Sequence, residues 1–91
     1  MDQTPAEYFT ERGFGLAFST QTEDELLAVY SKAAGWSRKQ LKKRLKDGSV
    51  GPVFANLQAP NGTVLTAYGT GATEDAAAER AMRRWGAEQG D

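Results

Sequence analysis

The sequence predicts a single α+β domain over residues 1–91: a small three-stranded antiparallel sheet, made of one hairpin plus an N-terminal strand, packed with two helices joined by a tight turn and with a C-terminal helix. Three observations carry this expectation. Thr22 with Glu25, and Ser37 with Gln40, have the spacing of capping boxes, and each opens a run with apolar residues at helical period. Two short alternating runs flank Ala59-Pro60-Asn61-Gly62, whose residue types suit a type I turn closed by a bulge. Thr73-Glu74-Asp75 then heads an alanine-rich stretch that ends near Trp85, with a cap and acidic residues at the positive end of the helix dipole.

Taken in order, Thr4 caps a short helix that has Pro5 at its first position and stops at Gly13. Phe14, Leu16 and Phe18 alternate with Gly15, Ala17 and Ser19, the pattern of a strand with one apolar face. Leu26, Leu27, Tyr30, Ala33 and Ala34 share one side of the next helix, which Gly35 ends. Trp36 precedes the second cap at the spacing of a hydrophobic staple onto Leu41, and Leu41 with Leu45 continues the buried stripe as far as Gly48. In the hairpin, simple alternation puts Val53, Ala55, Leu57, Leu65 and Ala67 on the core face. It puts Phe54, Asn56, Gln58, Val64, Thr66 and Tyr68 on the other. Ala77, Ala78, Ala81, Met82 and Trp85 line the last helix, whose small residues permit a close approach to a sheet, and residues 86–91 are expected to fray.

The chain has neither cysteine nor histidine. Disulfides, thiolate ligands, the commonest general base and the commonest metal ligand are thereby removed together, so a binding protein without cofactor or metal is expected rather than an enzyme. No apolar run approaches the length of a membrane span and no leader pattern opens the chain, which points to a cytoplasmic protein with no membrane partner. A formal net charge of −1 conceals a strong asymmetry. Residues 1–35 carry six acids against two bases, residues 36–47 six bases against one acid, residues 48–73 no charge, and residues 74–91 five acids against three bases. A polyanion at close range responds to that local field and not to the total.

The basic segment 38–47 is therefore the leading candidate site. Wound as a helix, it sets Lys39, Lys42, Lys43 and Lys46 in one cationic arc, while Arg38 and Arg44 flank the apolar stripe. Clustered cations on a projecting helix suit phosphate neutralisation, and a helix of this width fits the major groove. Ser37, Arg38, Lys39 and Gln40, at its start, are residue types that reach phosphates or base edges. The segment running through Tyr30, Ser31, Gly35, Trp36, Ser37 and Leu41 resembles the helix-turn-helix of DNA-binding proteins, and the order of elements around it is winged-helix-like. The resemblance implies that residues 38–47 are a recognition helix and that a homodimer would read two half-sites. Arg44 stands where that motif usually has an apolar residue, and the hairpin lacks the basic residue of a DNA-contacting wing.

Gly69-Thr70-Gly71-Ala72-Thr73 before an alanine-rich helix resembles the end of a double-stranded-RNA-binding domain. That resemblance implies lysines at the start of the helix, where this chain has Glu74, Asp75 and Ala78. Phe54 and Tyr68, neighbours on the more polar hairpin face, form a candidate partner surface for base stacking or a protein hot spot. Glu79 and Arg83 have the spacing of a helical ion pair. Function is thus expected to be nucleic-acid binding, accessory or regulatory, through the basic helix. The alternative is a protein-interaction module, an inhibitor or adaptor, that sets the basic helix against an acidic protein surface or uses the Phe54/Tyr68 face.

Overall fold

Strand pairing begins where the first apolar alternation meets the hairpin, and the resulting sheet organises the molecule. The structure, a computed structural model, describes residues 3–90; Asp2 and Asp91, part of the charge count above, lie outside them. The elements are α1 (Pro5–Glu11), β1 (Gly15–Thr20), α2 (Glu23–Ala34), α3 (Arg38–Lys46), β2 (Val53–Gln58), β3 (Val64–Gly71) and α4 (Glu74–Gln89). The α+β expectation holds: one antiparallel sheet in the order β1-β2-β3, with four helices.

Every helix opens on a side-chain cap. Thr4, Thr22, Ser37 and Thr73 each accept from the backbone N–H three residues on. Glu7, Glu25 and Gln40 complete capping boxes at the first three. Gly35 closes α2 at φ 70°, a left-handed conformation that a β-carbon would disfavour, and this allows α3 to start only three residues later.

One face of the sheet carries the core. Phe9 from α1, Val53, Ala55 and Leu57 from β2, and Ala77 and Ala81 from α4 form the buried cluster, and Trp85 packs edge-on against Phe9, Phe14 and Tyr68 at its rim. A β-carbon on Gly69 would lie 2.3 Å from the Ala77 carbonyl oxygen and one on Gly71 would lie 2.7 Å from the Ala77 nitrogen. These glycines and the alanines facing them are what let helix and strand touch backbone to backbone. Leu26 and Leu41 are fully buried but belong to the α2–α3 pair, outside that cluster. The pair is an excursion between two paired strands: Thr20 sits opposite Val53, and Gln21 N donates to Pro52 O just beyond.

Four expectations need correction. The β2–β3 register shifts twice, between Ala55 and Asn56 and between Asn56 and Gln58. Extra residues on β3 therefore break its alternation. Ala67 pairs with Asn56 on the outer face, Tyr68 packs against the core side, and Leu65 is 53% exposed. Ala33 and Ala34 are exposed, so the buried side of α2 ends at Tyr30. Helix α4 runs through Gly86 to Gln89 and is capped by left-handed Gly90, so the helix continues past Trp85 instead of ending there. The ion pair on α4 joins Arg84 to Glu88, not Glu79 to Arg83. Among the described residues no helix is long and apolar enough to cross a membrane.

Candidate nucleic-acid interface

Helix α3 is positioned by its two arginines and displays its lysines. Arg38 reaches back to the start of α2, with Nη2 donating to Asp24 Oδ1 at 2.8 Å and Nη1 3.7 Å from Glu23 Oε1. The hydrogen bond to Asp24, then the negative charges of Asp24 and Glu23, hold the Arg38 pKa above its ordinary value. On the other flank of the buried stripe, the Arg44 guanidinium lies 5.3 Å from the centre of the Trp36 ring, and Trp36 stacks on Tyr30 at 4.7 Å and 17°. Leu41 between them is fully buried and Leu45 half-buried. Two cations that sequence reasoning placed beside the apolar stripe thus act as tethers holding α3 to α2 and to the turn.

The remaining cations face outward. Lys39, Lys42, Lys43 and Lys46 are all exposed, and among the described residues none lies within ion-pair distance of a carboxylate. At about 100° per residue they span an arc of about 100° on the side away from Leu41 and Leu45. The one acidic residue at that end, Asp47, is turned toward Ser49, whose backbone N–H and hydroxyl both donate to Oδ1. Those bonds lower its pKa most, and Arg44 and Lys43 lower it further. The Asp47 carboxylate thus spends its hydrogen bonds on Ser49, and it lies beyond ion-pair distance of the lysine arc.

Of the predicted contact residues, the structure brings the four lysines together and commits the others to different work. Ser37 Oγ accepts from Gln40 N, and Gln40 Oε1 accepts from Ser37 N, so both side chains are spent on the cap. Arg38 is held by α2. Gln40 keeps its amide donors beside a shallow recess shared with Trp36, Lys43, Arg44 and Asp47.

The Phe54/Tyr68 surface is not a pair of neighbouring rings on one face. Tyr68 packs edge-on against Trp85 at 5.5 Å, donates to Glu88 Oε2 at 2.9 Å and lies under the Arg84 guanidinium. Phe54 lies on the opposite face. The two meet only along the rim of a groove of about 540 Å³ that passes the β3 edge between Val29 and Tyr30 of α2 and Arg80 and Arg84 of α4. Arg80, which by its charge alone could only be weighed with Arg83 and Arg84 as an extension of the cationic surface, has a structural role instead. Its guanidinium donates to the carbonyl oxygens of Gly48, Ser49 and Thr70, binding the return leg of the excursion to β3 and α4. Nothing local in the sequence pairs an arginine with carbonyls more than thirty residues away.

Helix α1 packs on α4 and β1 and serves the sheet core. The α2–α3 pair therefore stands as an arm on a sheet. At the start of α4, Glu74 and Asp75 are exposed. Among the described residues no group of His, Cys, Asp and Glu side chains has the arrangement to hold a metal. No family model, curated protein or solved structure matches the chain.

Proposed function

We propose that the protein is a non-enzymatic nucleic-acid-binding accessory or regulatory factor that grips the phosphate backbone with Lys39, Lys42, Lys43 and Lys46. A single observation carries the reading: these four ammonium groups share one exposed arc without carboxylate partners, while the neighbouring arginines are tied into the fold. Lysines are point charges without the fork geometry that reads bases, so the reading favours backbone contact over sequence recognition. In the helix-turn-helix sense α3 would be the helix laid against the nucleic acid. The double-stranded-RNA likeness contributes less, because Glu74 and Asp75 stand where phosphates would be held.

Four phosphate contacts give a slope of about −3.6 in log K against log salt for duplex DNA, or about −2.8 for single strands. Fluorescence anisotropy with labelled duplex DNA, duplex RNA and single strands, run across a salt series, measures it. Charge reversal at Lys39, Lys42 and Lys43 should abolish binding while the circular dichroism spectrum and unfolding midpoint stay close to wild type. Absent binding to all three probes, or binding indifferent to salt, rules the function out. An acidic protein surface on the same lysines would then be the remaining reading, tested by capture that survives nuclease treatment.

A further inference from the structure

On the face of the sheet that carries α1 and α4, an open groove of about 450 Å³ runs beside β1. Leu16 and Phe18 form its floor, Pro5 and Ala6 one wall, and the first turns of α4 the other. Leu16 packs against the core cluster, but Phe18 remains 37% exposed, leaving aromatic surface open in the floor. Glu74, Asp75 and Glu79 stand along the α4 wall, all exposed, and among the described residues none has a cation within ion-pair distance. The helix dipole explains acids in the first turn, Glu74 and Asp75, but its effect has faded by Glu79.

The backbone supplies an independent observation. Strand β1 is an edge of the sheet. Gln21 N donates to Pro52 O, and antiparallel hydrogen bonding alternates residue by residue, so Ser19, Ala17 and Gly15 turn their backbone groups toward β2. Leu16, Phe18 and Thr20 turn theirs outward, and no backbone bond from them to another element is present among the described residues. The two residues whose side chains floor the groove are thus residues whose N–H and C=O groups are free along its border.

We propose that this groove binds an extended basic segment of a partner protein, added to β1 as a fourth strand. One large apolar side chain of the segment rests on Phe18, and Lys or Arg two residues to either side face Glu74, Asp75 and Glu79. Strand addition provides the main-chain bonds and alternate side chains provide selectivity. A second copy of this chain fits poorly. Its basic segment is already a helix, and the leucines of that helix are buried or half-buried, leaving no apolar group to reach the floor. The proposal concerns a different face from the lysine arc and does not rest on nucleic-acid binding.

The test uses a synthetic peptide, Lys-Thr-Leu-Thr-Lys with blocked ends, in which alternate residues face the groove. Titrated into the ¹⁵N-labelled full chain, it should shift the amide signals of Leu16, Phe18 and Thr20 in a saturable way. Affinity should fall about tenfold or more when the lysines become glutamates, when leucine becomes serine, when the peptide backbone is N-methylated, or in the Glu74→Lys/Asp75→Lys/Glu79→Lys variant. Reversal of Lys39, Lys42 and Lys43 should leave it unchanged. No saturable shift overturns the proposal. So does equal binding of the serine or N-methylated peptides, which would mean charge attraction alone. Sedimentation showing self-association that the α4 charge reversal abolishes, without peptide binding, assigns the groove to a second copy and likewise overturns it.

Discussion

Replacing Gly69 with alanine places a methyl group where α4 already stands. Its carbon would lie 2.3 Å from the Ala77 carbonyl oxygen and 2.4 Å from the Ala81 nitrogen. Comfortable contact begins near about 3.5 Å, so the helix must recede by roughly 1 Å. Both atoms struck belong to helix backbone and cannot rotate away, which puts the overpacking cost near the upper end of the usual range, about 3 kcal/mol. Gly69 is not among the glycines with positive φ, so alanine fits its backbone conformation. Relief of glycine's excess chain entropy returns about 0.5–1 kcal/mol. The net expectation is a loss of about 2 kcal/mol, or a midpoint lower by about 10 °C for a domain of this size. Urea denaturation followed by circular dichroism, supported by a thermal scan, measures both. A Gly69→Ala protein as stable as wild type, or more so, would refute the close approach of α4 to β3 and with it the reason given for the glycine–alanine seam.

Other outcomes follow from the same geometry. Leu41→Ala should cost about 2–5 kcal/mol, because it empties a fully buried site beneath α3; denaturant melts report it, and the lysine arc should lose nucleic-acid affinity along with its support. Lys43→Gln should leave stability nearly unchanged but flatten the salt slope for duplex DNA by about 0.9, read by anisotropy across a salt series. Arg80→Ala should speed amide exchange in residues 48–50, measured by hydrogen–deuterium exchange, with little change at Ala77 and Ala81 in the core. The pKa of Tyr68 is raised above 10.0, chiefly by its hydrogen bond to Glu88 and then by desolvation and the Glu88 charge. Folding thus favours the protonated phenol. The stabilisation is complete below the unfolded value near 10.0 and disappears as pH rises through the folded one. Tyr68→Phe should therefore abolish this part of the alkaline decline in the unfolding midpoint, and an unchanged decline would show that the bond contributes nothing.

What a reader of the sequence can recover here is governed by range. The capping pairs Thr22/Glu25 and Ser37/Gln40 and the left-handed stop at Gly35 act over three or four residues, and each lies where its local chemistry requires. The arc of lysines follows from helical period alone and is equally legible. Failure begins at β3. Its side-chain directions depend on two register shifts that the hairpin residues do not announce, so Leu65 exchanges the core for solvent and Tyr68 moves under Arg84. The fate of the arginines was hidden for the same reason. Arg38, Arg80 and Arg84 look alike as letters, but one meets a helix start, one three carbonyls and one a carboxylate a turn away. The groove beside Phe18 is the extreme case, since its walls come from helices at opposite ends of the chain.

The excursion between β1 and β2 leaves and rejoins the sheet at adjacent rungs, Thr20 opposite Val53. None of the core cluster residues comes from the stretch between those rungs. Residues 21–52 therefore resemble a tool mounted on a handle. The handle stays closed whatever the tool carries, because ends this near cost little extra closure entropy as the loop lengthens or shortens. Selection can rewrite the charge, length or target of such an appendage without renegotiating the interior. An engineer can do the same by grafting a different helical pair between Gln21 and Gly48, keeping Arg80 and the carbonyls it clasps as the clip.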